Sequence, residues 1–164
     1  MYTKKSVIAL AAAAAVLSAT STAMAADGVG TANASVVAAI AIAENTQMNF
    51  GTISSTGTAG TVVLATGGTA TDTNVTRLAG GTLAAGAFTI SGGSGSAYTI
   101  TMPASAVTLT SGSDTMTVSS FTHTASGTLP AATEAINIGA TLAVGASQAA
   151  GTYAGSYTIT VNYN

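Results

Sequence analysis

Residues 151–164 read GTYAGSYTITVNYN, and the odd positions carry Tyr153, Gly155, Tyr157, Ile159, Val161 and Tyr163. The even positions carry Ala154, Ser156, Thr158, Thr160, Asn162 and Asn164. Successive side chains of an extended chain point to opposite faces, so this alternation predicts a strand with one apolar, aromatic face and one polar face. Tyr, Ile, Val and Thr all fit a pleated surface, and no Pro interrupts the run. The shared parity of Tyr153, Tyr157 and Tyr163 places them on the buried face and not on a sugar-stacking platform. There each ring packs and each hydroxyl needs a partner.

Working back from this stretch, short apolar runs recur between Gly-, Ser- and Thr-rich punctuation. Strands are predicted at 135–144 (AINIGATLAV), 115–123 (TMTVSSFTH), 107–110 (VTLT), 97–102 (AYTITM) and 87–91 (AFTIS). Residues 92–96 (GGSGS) read as a hairpin loop between two of them. Further upstream come a Gly-broken strand within 75–83, a buried-looking one at 60–66 (GTVVLAT), and alternation at 48–53 (MNFGTI). Residues 54–60 and 69–74 read as loops, and 44–47 as a polar turn. Residues 32–42 (ANASVVAAIAI) favour a strand through Val36, Val37, Ile40 and Ile42, with no capping box to open a helix. Eight or nine short strands without a helical pattern predict an all-β fold, a single antiparallel β-sandwich.

Residues 1–25 have the form of a secretory signal peptide. Lys4 and Lys5 precede an apolar core at 7–17 (VIALAAAAAVL), and Ala23-Met24-Ala25 offers a cleavage site. The core is too short for a membrane span, which takes about 20 residues. Cleavage would leave residues 26–164 as one β-sandwich domain, secreted and with no membrane anchor. Arg77 is then the remaining Lys or Arg, set against Asp27, Glu44, Asp72, Asp114 and Glu134. A chain so poor in cations offers nothing to neutralise phosphates or an anionic lipid surface, which excludes nucleic acid and polybasic membrane binding. With no Cys, disulfides and thiolate chemistry are excluded.

Catalytic constellations are equally thin. His123 is the single histidine and has no Gly-x-Ser-x-Gly elbow to serve. The five acids are dispersed, the glycines at 92–95 lack a following Lys, and no cofactor or metal site is expected. Arg77 is expected to pair with Asp72. Asn33-Ala-Ser35 and Asn74-Val-Thr76 match a glycosylation pattern that a Thr-rich chain generates by chance. Sheet edges are commonly guarded by Lys, Pro or inward charge, whereas residues 26–164 contain no Lys and only Pro103 and Pro130. Edges so undefended favour pairing with another chain.

Gly151 and the penultimate Tyr163, bracketing alternating apolar residues, resemble the C-terminal signature of chaperone-usher pilins. That resemblance implies a terminal strand lining a groove, held first by a periplasmic chaperone and then filled by a neighbour's N-terminal segment. Taken with 34–40 (ASVVAAI), 48–53 (MNFGTI), 87–92 (AFTISG) and 136–142 (INIGATL), nearly the whole of residues 26–164 is more closely similar to an uncharacterised secreted bacterial family, domain of unknown function 4402. This likeness implies a pilin-like or spore-coat-protein-U-like sandwich and supplies no activity.

The expected role is a structural subunit of a pilus or surface fibre that self-associates by strand addition, with a periplasmic chaperone and an outer-membrane export partner. The assembly strand is Gly151, Tyr153, Tyr157, Ile159, Val161 and Tyr163. Ala32, Ala34, Val36, Ala38 and Ile40 form the donor strand, or else an ordinary first strand of the same sheet. The alternatives are a monomeric or weakly oligomeric surface adhesin or carbohydrate- or protein-binding module using loops such as 54–60 and 69–74 and, remotely, an extracellular hydrolase built on His123.

Overall fold

The computed structural model describes residues 24–164; the signal peptide proposed at 1–25 lies almost wholly outside them. Two units divide the chain, Met1–Ala34 and Ser35–Asn164. Residues 24–34 carry no regular secondary structure and are exposed throughout. The second unit is all-β and antiparallel, with no helix among the described residues.

Its strands are β1 (Ala41–Thr46), β2 (Asn49–Phe50), β3 (Ile53–Ser55), β4 (Gly60–Leu64), β5 (Ala70–Thr73), β6 (Val75–Arg77) and β7 (Leu83–Ala84), followed by β8 (Gly86–Ser91), β9 (Tyr98–Thr101), β10 (Val107–Ser111), β11 (Asp114–His123), β12 (Thr133–Val144) and β13 (Thr160–Tyr163). A seven-stranded sheet runs β1-β8-β12-β11-β10, with β4 also on β12 and β5 on β4. Three two-stranded pairs, β13-β9, β2-β7 and β3-β6, complete the set.

β12 organises the sheet. One edge takes β11; the other takes β8 along Thr133–Ile138 and β4 along Ala140–Val144. The handover falls at Gly139, which is buried. A Cβ there would run into the backbone of Leu64 and Thr66 and the hydroxyl of Thr122, so the close approach of β4 requires glycine. The even positions of β12 supply the core. Ile136 and Ile138 join Ile90, Tyr98 and Leu129 in one cluster; Ala140, Leu142 and Val144 join Phe50, Val62, Leu64, Met116 and Val118 in the other. Met48 and Phe121 touch both. Full burial of each large aliphatic stabilises by about 1.5–3 kcal/mol.

Four local expectations change. Residues 32–42 are not one strand: regular pairing begins at Ala41, in β1 against β8. The polar 44–47 turn is mostly β1, and 69–74 contains β5. Threonines and Asp72 form that edge strand because backbone pairing to Val62, Val63 and Leu64 of β4 outweighs their weak apolar signal. Residues 92–96 do not close a hairpin, since β8 pairs with β1 and β12 whereas β9 pairs with β13.

Candidate functional site

The expected assembly strand is only partly a strand. Residues 160–163 form β13 against β9, with Val161 opposite Ile100 and Tyr163 opposite Tyr98. Upstream, Ala154 exchanges two backbone hydrogen bonds with Thr110 of β10, at 2.9 and 3.0 Å. Among the described residues these are the only backbone–backbone bonds made by 149–159. The alternation survives nonetheless. Tyr153, Tyr157, Ile159, Val161 and Tyr163 are half-buried against the two core clusters, while their even neighbours face solvent. Gly151 and Gly155 are exposed beside β10, where a Cβ would meet Ser111 and the Thr108 carbonyl, respectively.

Facing this segment is a groove of about 980 Å³. Residues 47–55 line one wall and 148–157 the other, and Met116, Val118, Leu142 and Val144 of the core reach its floor. The first wall is tied on its far side, Asn49–Phe50 to β7 and Ile53–Ser55 to β6. The walls meet at one end, where the Ser55 hydroxyl donates to the Gln148 carbonyl (3.1 Å) and the Ser147 amide to the Thr56 carbonyl (2.8 Å). Glu44 and Tyr157 also line the groove, and Glu44 is its one carboxylate.

Arg77 braces the first wall. Its Nε donates to Asp72 Oδ2 (3.1 Å) and its Nη2 to Oδ1 (2.5 Å), the pairing expected from sequence. Nη1 also donates to the Phe50 carbonyl (2.5 Å), which fastens β2 to the β5–β6 region. The 54–60 and 69–74 stretches are joined in the same corner by Asn74, whose amide donates to the Ala59 carbonyl (3.2 Å) while its own carbonyl accepts from Thr56.

Tyr157 packs the second wall against two aromatic rings. Its ring lies 5.3 Å from Phe121 and 6.2 Å from Phe88, centroid to centroid. Its hydroxyl is buried without a hydrogen-bond partner. Burial, helped by the negative charge of Glu44, pushes its pKa up to about 12. A raised folded pKa means stability that is complete below the ordinary tyrosine value of about 10 and is lost as pH climbs toward 12. Tyr157→Phe is expected to stabilise the domain by about 1 kcal/mol at neutral pH, because an unsatisfied hydroxyl leaves the interior. It should also flatten the alkaline loss between pH 10 and 12. Denaturant titrations at pH 7, 10 and 11.5 measure both; an unchanged alkaline slope would remove Tyr157 as its source.

A second polar cluster carries no local sequence signal. Tyr98 of β9 donates to Glu134 Oε2 (2.7 Å), and the Ser126 amide donates to Oε1 (2.8 Å). Burial pushes the Glu134 carboxyl up, but the hydrogen bonds from Tyr98 and Ser126 outweigh it and hold the group below its usual range. Burial, followed by the bond to Glu134, raises Tyr98. The arrangement ties β9 to the start of β12. His123 is exposed, and its Nδ1 accepts from the Ala125 amide (3.2 Å). No group of three or more His, Asp or Glu is placed to hold a metal ion among the described residues.

The expected donor residues divide. Ala32, Ala34 and Val36 are exposed, whereas Ile40 packs against the Ile90 cluster and the Ala38 carbonyl accepts from Tyr163. Fold and groove thus define an antiparallel all-β domain whose C-terminal wall has spare backbone capacity. The model of a family described as domain of unknown function DUF4402 matches residues 40–163, most of the chain, and the protein belongs to that family. Neither the curated proteins nor the solved structures give a significant match.

Proposed function

We propose that this protein is a secreted, non-catalytic structural subunit of a pilus, fimbria or surface fibre. Its pilin-like sandwich takes a strand from another copy into the groove between 47–55 and 148–157. The observation that carries the reading is the second wall: a sequence with strict strand alternation whose backbone, over 149–159, pairs only at Ala154. An added strand would satisfy those groups and cover the floor with alternate apolar side chains. The exposed apolar residues Val29 and Val36, 97% and 96% accessible, make the N-terminal arm the matching donor. Export through the signal peptide, capture by a periplasmic chaperone and passage through an outer-membrane partner complete the proposal.

The test compares the chain from Ala26 with one lacking 26–36. Light scattering and negative-stain microscopy should show ordered assemblies for the first and monomers of unchanged circular dichroism for the second. A peptide of residues 26–40 should raise the thermal midpoint of the truncated domain saturably, as any ligand of the native state does. Assembly that survives the truncation defeats the reading. A groove of about 980 Å³ also lies within the range of small-molecule sites. A monomer that binds a small apolar ligand there, with no response to the peptide, would mark a binding module instead.

A further inference from the structure

Residues 37–40 lead into β1, and one hydroxyl pins them to the far end of the chain. The Tyr163 hydroxyl accepts from the Gly93 amide (2.6 Å) and donates to the Ala38 carbonyl (2.7 Å). Beside this point Val37 lies over Gly93, so closely that a Cβ on Gly93 would collide with its Cγ1. Next along the chain Ile40 enters the core cluster, and β1 begins at Ala41. In the other direction contact ends abruptly, with Val37 56% exposed and Val36 96%. Tyr163 itself is held independently of the arm, by the β13–β9 ladder and by packing of its ring against the core. Its hydroxyl uses donor and acceptor capacity together, which no Phe can do.

We propose that Tyr163 is a hinge clamp that fixes where the N-terminal arm leaves the domain. The inference rests on the strand-addition reading and specifies it. The segment delivered to another copy's groove ends at Val36, while Val37, Ala38 and Ile40 stay with the parent subunit. The lengths agree. Residues 26–36, fully extended, span roughly 36 Å, enough to run the whole groove wall 148–157, whose ten residues can reach at most roughly 33 Å. A fixed base gives the arm a defined reach and spares it the ordering of its last residues when it pairs.

The experiment uses Tyr163→Phe in the chain from Ala26, with amide exchange and backbone order parameters measured by NMR on the monomeric fraction and assembly followed by light scattering. Exchange at the Gly93 amide, which the hydroxyl holds, is expected to quicken about tenfold, and the backbone order parameters of Val37 and Ala38, whose own amides make no hydrogen bond, to fall. Exchange in Tyr98–Thr101 should not change, and the initial assembly rate should drop about fivefold. Gly93→Ala, which displaces Val37 and leaves the hydroxyl in place, should reproduce the lower order parameters at Val37 and Ala38. Unaltered order parameters at Val37 and Ala38 in both variants overturn the clamp even when fibres form normally. A parent chain that stays monomeric overturns the strand-addition reading on which the clamp's role in assembly rests.

Discussion

Gly139→Ala is expected to destabilise the domain by about 3 kcal/mol, near the upper end for overpacking a tight interior. The reason is specific to one point of β12. Its neighbour on one edge changes from β8 to β4 there, and the β4 chain continues through Leu64 to Thr66 directly over the Gly139 α-carbon. The atoms a methyl would meet are mostly backbone, which cannot rotate aside as a side-chain tip can. Relief would require β4 to move off β12, exposing Val62 and Leu64, both 1% accessible or less. Gly67→Ala is the control: a Cβ there meets nothing within 4 Å, so the change should stay within about 0.5 kcal/mol. Urea unfolding of the three proteins decides, and equal midpoints for Gly139→Ala and the parent would remove this junction from the account of the fold.

What could be read from sequence follows the range of the interactions. The even positions of β12 and the odd positions of the C-terminal stretch declared their buried face, because period two is a local property. Arg77 and Asp72, five residues apart, were equally legible. Pairing was not. Nothing in 92–96 distinguishes a hairpin loop from a connection between strands of different sheets, and β5 carries almost no apolar signal. The Tyr98–Glu134 bond joins residues 36 apart in sequence, and the groove brings 47–55 to 148–157. Such juxtapositions depend on register across the whole domain. The 32–42 stretch shows the opposite failure: its residue types favour a strand, yet only from Ala41 on does a partner, β8, exist to pair with it. Propensity marks readiness to pair, and residues 149–159 show the same readiness with a single bridge made.

Leu78→Asp should abolish assembly while leaving the fold intact. Leu78 lines the groove and is 47% exposed in the free subunit, so a carboxylate there remains solvated and costs the monomer little. Once a strand occupies the groove, the same carboxylate loses water and gains no cation, since Arg77 is engaged by Asp72 and the arm carries no Lys or Arg. A penalty of about 2–3 kcal/mol per contact, a factor near 100, follows from burying an unpaired polar group. Val63→Asp supplies the comparison. Val63 is 45% exposed, nearly equal to Leu78, but lies on the other face of β4 from buried Val62 and Leu64, outside the groove. It adds the same charge at the same exposure, so general electrostatic repulsion between copies affects both variants alike. Sedimentation of the two proteins against the parent separates the causes. Loss of assembly confined to Leu78→Asp locates the joint in the groove; equal loss in both assigns the effect to added charge and removes this support for the groove, and none in either means that copies meet through some other surface.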